Sequence, residues 1–209
     1  MLKDRFAMAD LTGGQMNAIV KKLGGHQGAL RFLRDELKIV EAQPLKIDEV
    51  EPKKLLKLVT TVSVAATKIF TASDHFKVDT QKAAVRICSL GDNFKENLLG
   101  LSEGGCEATN IKVHKLLAHS SDLPIIEELA DKCEIRLGQF FALLSKQGKG
   151  KKGVLLTNGK ANVAYIRGVK GILWAVSAYW QTVSRGWLVV AVPTMDPTRW
   201  DPSYQILSR

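Results

Sequence analysis

The chain has 209 residues, of which 45% are hydrophobic and 24% charged, with a formal net charge of +9. That length suits one domain of ordinary size, or one with a small appendage, and the composition excludes disorder along the whole chain. No run approaches the roughly 18–20 uninterrupted apolar residues of a membrane span, and Met1 to Asp10 lacks the apolar stretch of a secretion signal. A cytoplasmic protein with no membrane role is expected.

Taken in chain order, Thr12 caps a first helix over 14–23, where Met16, Ile19, Val20 and Leu23 form one apolar stripe. Gly24-Gly25 ends it, because glycine enters the left-handed region cheaply. A second helix over 27–40 turns Leu30, Leu33 and Leu37 inward and Arg31 and Arg34 outward, and Pro44 closes the segment. Residues 1–44 therefore read as a helical hairpin module. It is too small to bury its own apolar face, so it must dock on the rest of the chain, a copy of itself or a partner.

Residues 45–209 read as a separate α+β domain. A short helix is expected over 52–58 and a β-branched strand over 59–64, with Ala65-Ala66 leaving a helix as the alternative there. Strands over 84–90 and 110–117 flank a turn at 91–93 and a loop at 102–105. Ser121 or Asp122 caps a helix with Pro124 near its start. The next helix, over 135–147, presents Leu137, Phe140, Phe141 and Leu144 for burial. A flexible, glycine-broken basic loop occupies 146–153. Strands over 154–157 and 161–167 flank Asn158-Gly159, a strong hairpin signal, and further strands follow over 172–181, 187–192 and 204–207. The expected architecture is α+β: an N-terminal helical hairpin followed by a helix-covered antiparallel β-meander.

Three segments carry a resemblance. LTGGQMNAIVKKLGGHQGALRFLRDEL (residues 11–37) is similar to the opening module of a set of uncharacterised bacterial proteins, with the shared pattern TGGQxNAIVKxLGGxxGALRFLRxEL. LGDNFKE (90–96) and LLTNGKAN (155–162) resemble one branch of that set. The set has no assigned activity, so the resemblance implies no function. It does imply that the hairpin is a separable unit placed before unlike C-terminal regions.

Charge is the strongest functional signal. Residues 146–209 hold ten Lys or Arg against two Asp, while 61–145 hold nine against eleven acidic residues. All four tryptophans lie in the basic end. A basic β-rich surface with aromatics points to nucleic acid, and RNA somewhat more than DNA, because a sheet with a lysine loop suits shape and single strands. The phosphate-binding candidates are Lys146, Lys149, Lys151, Lys152, Arg167 and Lys170. On the strand over 172–181, Trp174, Val176, Ala178 and Trp180 share one face and are expected in the core. Leu173, Ala175, Ser177 and Tyr179 share the other, with Tyr179 as the stacking candidate and Tyr165 and Arg167 extending its surface.

The competing reading is a protein-interaction module working through residues 11–40. Val20, Gly24, Leu30 and Leu33 fall near the packing and turn positions of a helix-turn-helix, which would present His26, Gln27, Arg31 and Arg34 to a groove or a partner. Enzyme signals are weak. The lysine loop lacks Gly-x-x-x-x-Gly-Lys-Ser/Thr, with Gly153 where a hydroxyl should stand. Cys88, Cys106 and Cys133 form no C-x-x-C and are expected as reduced, partly buried thiols. No catalytic residue, metal ligand or cofactor is assigned.

Overall fold

Thr12 opens the first helix with a reciprocal capping box: its hydroxyl accepts from the Gln15 amide at 3.3 Å, and the Gln15 side chain accepts from the Thr12 amide at 2.9 Å. The computed structural model describes residues 11–37, 54–78, 83–197 and 199–209. The chain divides into two compact units, 1–51 and 52–209. The boundary expected after residue 44 lies outside the described residues.

In the first unit, α1 (Gly13–Lys22) and α2 (Gly25–Leu33) meet at Gly24 and Gly25, whose φ values of 89° and 80° suit glycine alone. A Cβ at Gly28 would overlap the Leu23 carbonyl, which keeps the corner tight. α2 stops earlier than the apolar spacing suggests, with Arg34 at its C-cap and Asp35 at φ 60°. The expected extension over 38–40 lies outside the described residues. Leu33 is not inward but 76% exposed, and Leu11, Met16 and Ile19 are exposed as well.

The second unit is built on a seven-stranded sheet. Across it the order is β1 (Leu56–Val64), β5 (Thr109–Leu116), β9 (Gln205–Ser208), β6 (Asn162–Arg167), β7 (Leu173–Gln181), β8 (Gly186–Pro193) and β3 (Ile87–Leu90). A two-stranded ribbon, β2 (Phe70–Thr71) with β4 (Ser102–Glu103), stands apart from it. The helices are α3 (Ala72–His75), α4 (Asp92–Asn97), α5 (Asp122–Leu129) and α6 (Leu137–Lys146). The fold is α+β, but its sheet is mixed. Only β6–β7–β8 form the expected antiparallel meander, whereas β9 pairs parallel with β6 and β3 parallel with β8. The reason is a crossover. Trp200 is buried in the core on one face of the sheet, and the chain that follows it enters β9 between β5 and β6.

Both sheet faces are covered. Trp174, Val176, Ala178 and Trp180 pack with Phe94, Phe140, Leu144 and Trp187 on one side. On the other, Val163, Tyr165, Ala175 and Ile206 pack with Ile125, Leu129 and Trp200. That is why β6 and β7 read as nearly continuous apolar runs.

Three further expectations change. β1 begins at Leu56, inside the stretch read as a short helix, because a strand there pairs with β5 from Leu56↔Leu116 onward. The residues 91–93 open α4 rather than close a turn. Residues 154–157 form no strand, so Asn158-Gly159 joins no hairpin. Side-chain amides take the ladder's place: Gln147 bonds both the amide and the carbonyl of Leu155, and Asn162 does the same for Leu156. Among the described residues, no helix is long and apolar enough to cross a membrane.

Candidate nucleic-acid interface

α6 runs directly into the lysine loop, and Gln147 fixes the loop's backbone. Its buried amide accepts from the Leu155 N–H at 2.7 Å and donates to the carbonyls of Lys151 at 2.8 Å and Leu155 at 3.1 Å. Its carbonyl accepts from the Trp187 indole at 3.3 Å and from the Gly150 amide at 2.8 Å. The Gly148 carbonyl accepts from the Arg86 amide at 2.7 Å. A Cβ at Gly148 would overlap the Ala84 carbonyl, and one at Gly150 would overlap the Trp180 indole. The expected flexible loop is therefore pinned. Its glycines permit close approach of backbone to core, and they leave Lys149, Lys151 and Lys152 exposed on a fixed frame.

The remaining sequence candidates lie elsewhere. Lys146, exposed at the end of α6, donates to the Ser63 carbonyl at 2.8 Å. Arg167 grips Glu134 with two bonds, at 2.7 and 3.3 Å, and donates to the Gly171 carbonyl at 2.7 Å. The Glu134 carboxylate raises its pKa further. Lys170 is exposed in the β6–β7 turn, close to Arg167. That turn adjoins Leu173, whereas the lysine loop packs on Trp180 at the other end of β7, roughly 23 Å away at about 3.3 Å per residue. Tyr179 is half-buried on the opposite sheet face from Trp180, edge-on to Tyr204 at 6.5 Å, and burial pushes its pKa up. Tyr165 offers no exposed surface: it is fully buried and donates to Asp122 at 2.8 Å. The structure thus brings Lys149, Lys151 and Lys152 together on the loop and sets Arg167 and Lys170 apart from them. In the first unit, His26, Gln27, Arg31 and Arg34 are all exposed along α2 and its C-cap, and Arg31 lies 3.5 Å from Glu36.

Beside the loop lies a feature the sequence reading did not assemble. Two clefts, of about 380 and 250 Å³, share His75, Phe141 and Ser145 as a common wall. The first is completed by Thr67, Lys68 and Phe70; the second by Lys77, Ala84 and Val85. The exposed His75 ring stacks on Phe70 at 4.6 Å and 4°, and Phe141 leans on it at 4.9 Å. Adjacent Phe140 and Phe141 cannot share one helix face, so Phe140 enters the core while Phe141 stays half-buried in the cleft. That spacing was the available signal. The Glu103 carboxylate, near this wall, accepts from the amides of Leu137 and Gly138 at 2.9 and 2.8 Å and caps α6.

Other polar groups are structural. Asp122, fully buried, accepts from Tyr165 and from the Trp200 indole at 2.7 Å, and burial raises its pKa. His114 Nε2 lies 2.9 Å from Ser208 Oγ, but that hydroxyl is buried and donates to the Arg209 carbonyl, so the pair has no accessible nucleophile. Cys133 is buried, Cys88 and Cys106 are half-buried, and all three are free; burial raises the pKa of Cys88 and Cys133. Among the described residues, no three His, Cys, Asp or Glu side chains gather as metal ligands. No family model, no curated protein and no solved structure matches this chain.

Proposed function

We propose that the second unit binds single-stranded nucleic acid, RNA in preference to DNA, without carrying out chemistry on it. The observation that carries this reading is the pinned loop: three exposed lysines on a frame whose backbone is already ordered. Phosphates neutralised there release counterions without the entropy cost of ordering the loop at the moment of binding. Arg167 and Lys170 are too far away, and Arg167 too engaged, to belong to the same contact set.

The test is a salt titration of a labelled single-stranded RNA with the wild type and with Lys149, Lys151 and Lys152 changed together to Gln. The expected loss is about two units of log–log salt slope, at about 0.7 per single-strand phosphate contact. Equal slopes for the two proteins would overturn the assignment.

A second reading rests on the exposed Leu11, Met16, Ile19 and Leu33 of the hairpin, which lie on the same unit as His26, Gln27, Arg31 and Arg34. In that reading the hairpin is a protein-docking adaptor, consistent with the resemblance of residues 11–37 to a recurrent module. Ile19→Glu with Leu33→Glu separates the two. RNA affinity that is unchanged in this variant assigns binding to the lysine loop, and RNA affinity lost with the hairpin face would reject it.

A further inference from the structure

We infer that the cleft walled by Phe70, His75 and Phe141 seats a nucleobase of the strand whose phosphates the lysine loop holds. This rests on the proposed function and adds the part of the ligand that lysines cannot recognise. Three observations converge on it.

The first is the wall itself. An exposed imidazole held flat on Phe70, with Phe141 alongside, is a preassembled aromatic surface, and every base has a π-face to stack on one. The second is size. At about 380 and 250 Å³ the clefts fall at or below the small end of the ~300–1,000 Å³ range of drug-sized pockets, which suits one planar heterocycle rather than a whole cofactor.

The third is placement and charge. Phe141 and Ser145 share one face of α6, and the residue after Ser145 begins the lysine loop. Ala84 and Val85 line the second cleft and are the same residues on which Gly148 packs. A strand whose base lies in the cleft therefore has its neighbouring phosphates beside Lys149, Lys151 and Lys152. Lys68 lies in the larger cleft and Lys77 in the smaller, where Asp74 also lies. The nearby Glu103 is committed to the α6 amides, so it does not oppose an anionic strand as a free carboxylate would.

Besides the Lys68 ammonium and the His75 ring nitrogens, the side-chain hydrogen-bonding groups of the larger cleft are few. The Ser145 hydroxyl donates to the Phe141 carbonyl at 2.9 Å and keeps an acceptor position, and Thr67 lies 3.0 Å from Cys106 Sγ. Recognition there is by stacking, tolerant of base identity.

The experiment uses the full chain and two RNA-length probes of about 12 nucleotides: a base-bearing strand and an abasic sugar-phosphate strand of equal charge. At about 0.15 M salt the wild type should bind the base-bearing strand about tenfold more tightly. His75→Ala should lose that advantage without weakening abasic binding, and His75→Phe should restore it. A 2-aminopurine placed in the strand should lose fluorescence on binding the wild type, a readout independent of any variant's folding.

Equal wild-type affinity for both strands, or an unquenched 2-aminopurine in a saturated complex, would overturn the base seat while leaving the lysine-loop reading intact. Failure of both strands to bind would overturn the two together. Quenching that persists in His75→Ala, with affinity unchanged, would place the base elsewhere and also overturn the inference.

Discussion

Gly150→Ala tests whether the lysine loop is fixed or merely short of side chains. Two costs apply. Residue 150 sits at φ 69°, where an L-residue is disfavoured by about 1–2 kcal/mol, and its Cβ would overlap the six-membered ring of Trp180. Trp180 is itself packed edge-to-face with Trp187 at 5.4 Å, so the indole cannot swing aside without disturbing a fully buried neighbour. Overpacking of that kind costs about 1–3 kcal/mol, giving a sum near 3 kcal/mol. The control is Gly159→Ala, with φ 81° and no atom within 4 Å of the new Cβ, which carries only the same backbone cost of about 1–2 kcal/mol. The assay is equilibrium unfolding in urea, followed by tryptophan fluorescence, with unchanged m-values for both variants. If Gly150→Ala is no more destabilising than Gly159→Ala, the loop yields freely and the argument for a preordered lysine frame is wrong.

Other measurements follow from the same geometry. Gln147→Ala leaves the amide and carbonyl of buried Leu155 without partners, and should cost about 3 kcal/mol, or roughly 6–12 °C in melting temperature. Gln147→Glu should recover only part, since a carboxylate accepts from Leu155 but donates to neither carbonyl. Asp122 is held above the ordinary carboxylate value by burial, so its folded form favours the proton. Stability is therefore fully present below the unfolded pKa and declines as pH rises through the folded one. Measured against wild type, Asp122→Asn should accordingly gain as pH rises above the ordinary carboxylate value; a gap that is constant with pH would reject a buried titrating carboxylate. His114 has the opposite sign. Burial, then Lys112, lower its pKa, so stability is lost as pH falls below the ordinary histidine value, and His114→Gln should flatten that acid limb. Arg167→Gln should leave the RNA salt slope unchanged, because its guanidinium is already held by Glu134 and Gly171.

What was legible in the sequence follows how local its cause is. Thr12 with Gln15, the diglycine corner and the helices beginning near Ser121 and Leu137 are set by residues a few positions apart, and they form close to where the pattern places them. The alternation along β7 sorts Trp174 and Trp180 from Tyr179 correctly, although alternation cannot say that both faces are covered. The errors come from distant partners. Asn158-Gly159 has the chemistry of a hairpin, yet Gln147 and Asn162 satisfy the backbone that a second strand would have paired. The lysines of 146–152 were visible as a charge run, but the role of the intervening glycines depends on Trp180 and Ala84, which no local window contains. His75 and Phe70 meet only because α3 follows β2 at once.

The position of β9 bears on how the protein acquires its structure during synthesis. Residues 205–208 are not an edge strand added to a finished sheet; they occupy the seam between β5 and β6, with Lys112 opposite Ser208 and Asn162 opposite Gln205. Until that segment has left the ribosome, the antiparallel pair of β1 and β5 and the meander of β6 to β8 have no strand to join them. Each would expose an unpaired edge and half of an apolar face, a state open to mispairing with other nascent chains. A break just before residue 205 would thus remove the seam and leave two half-sheets.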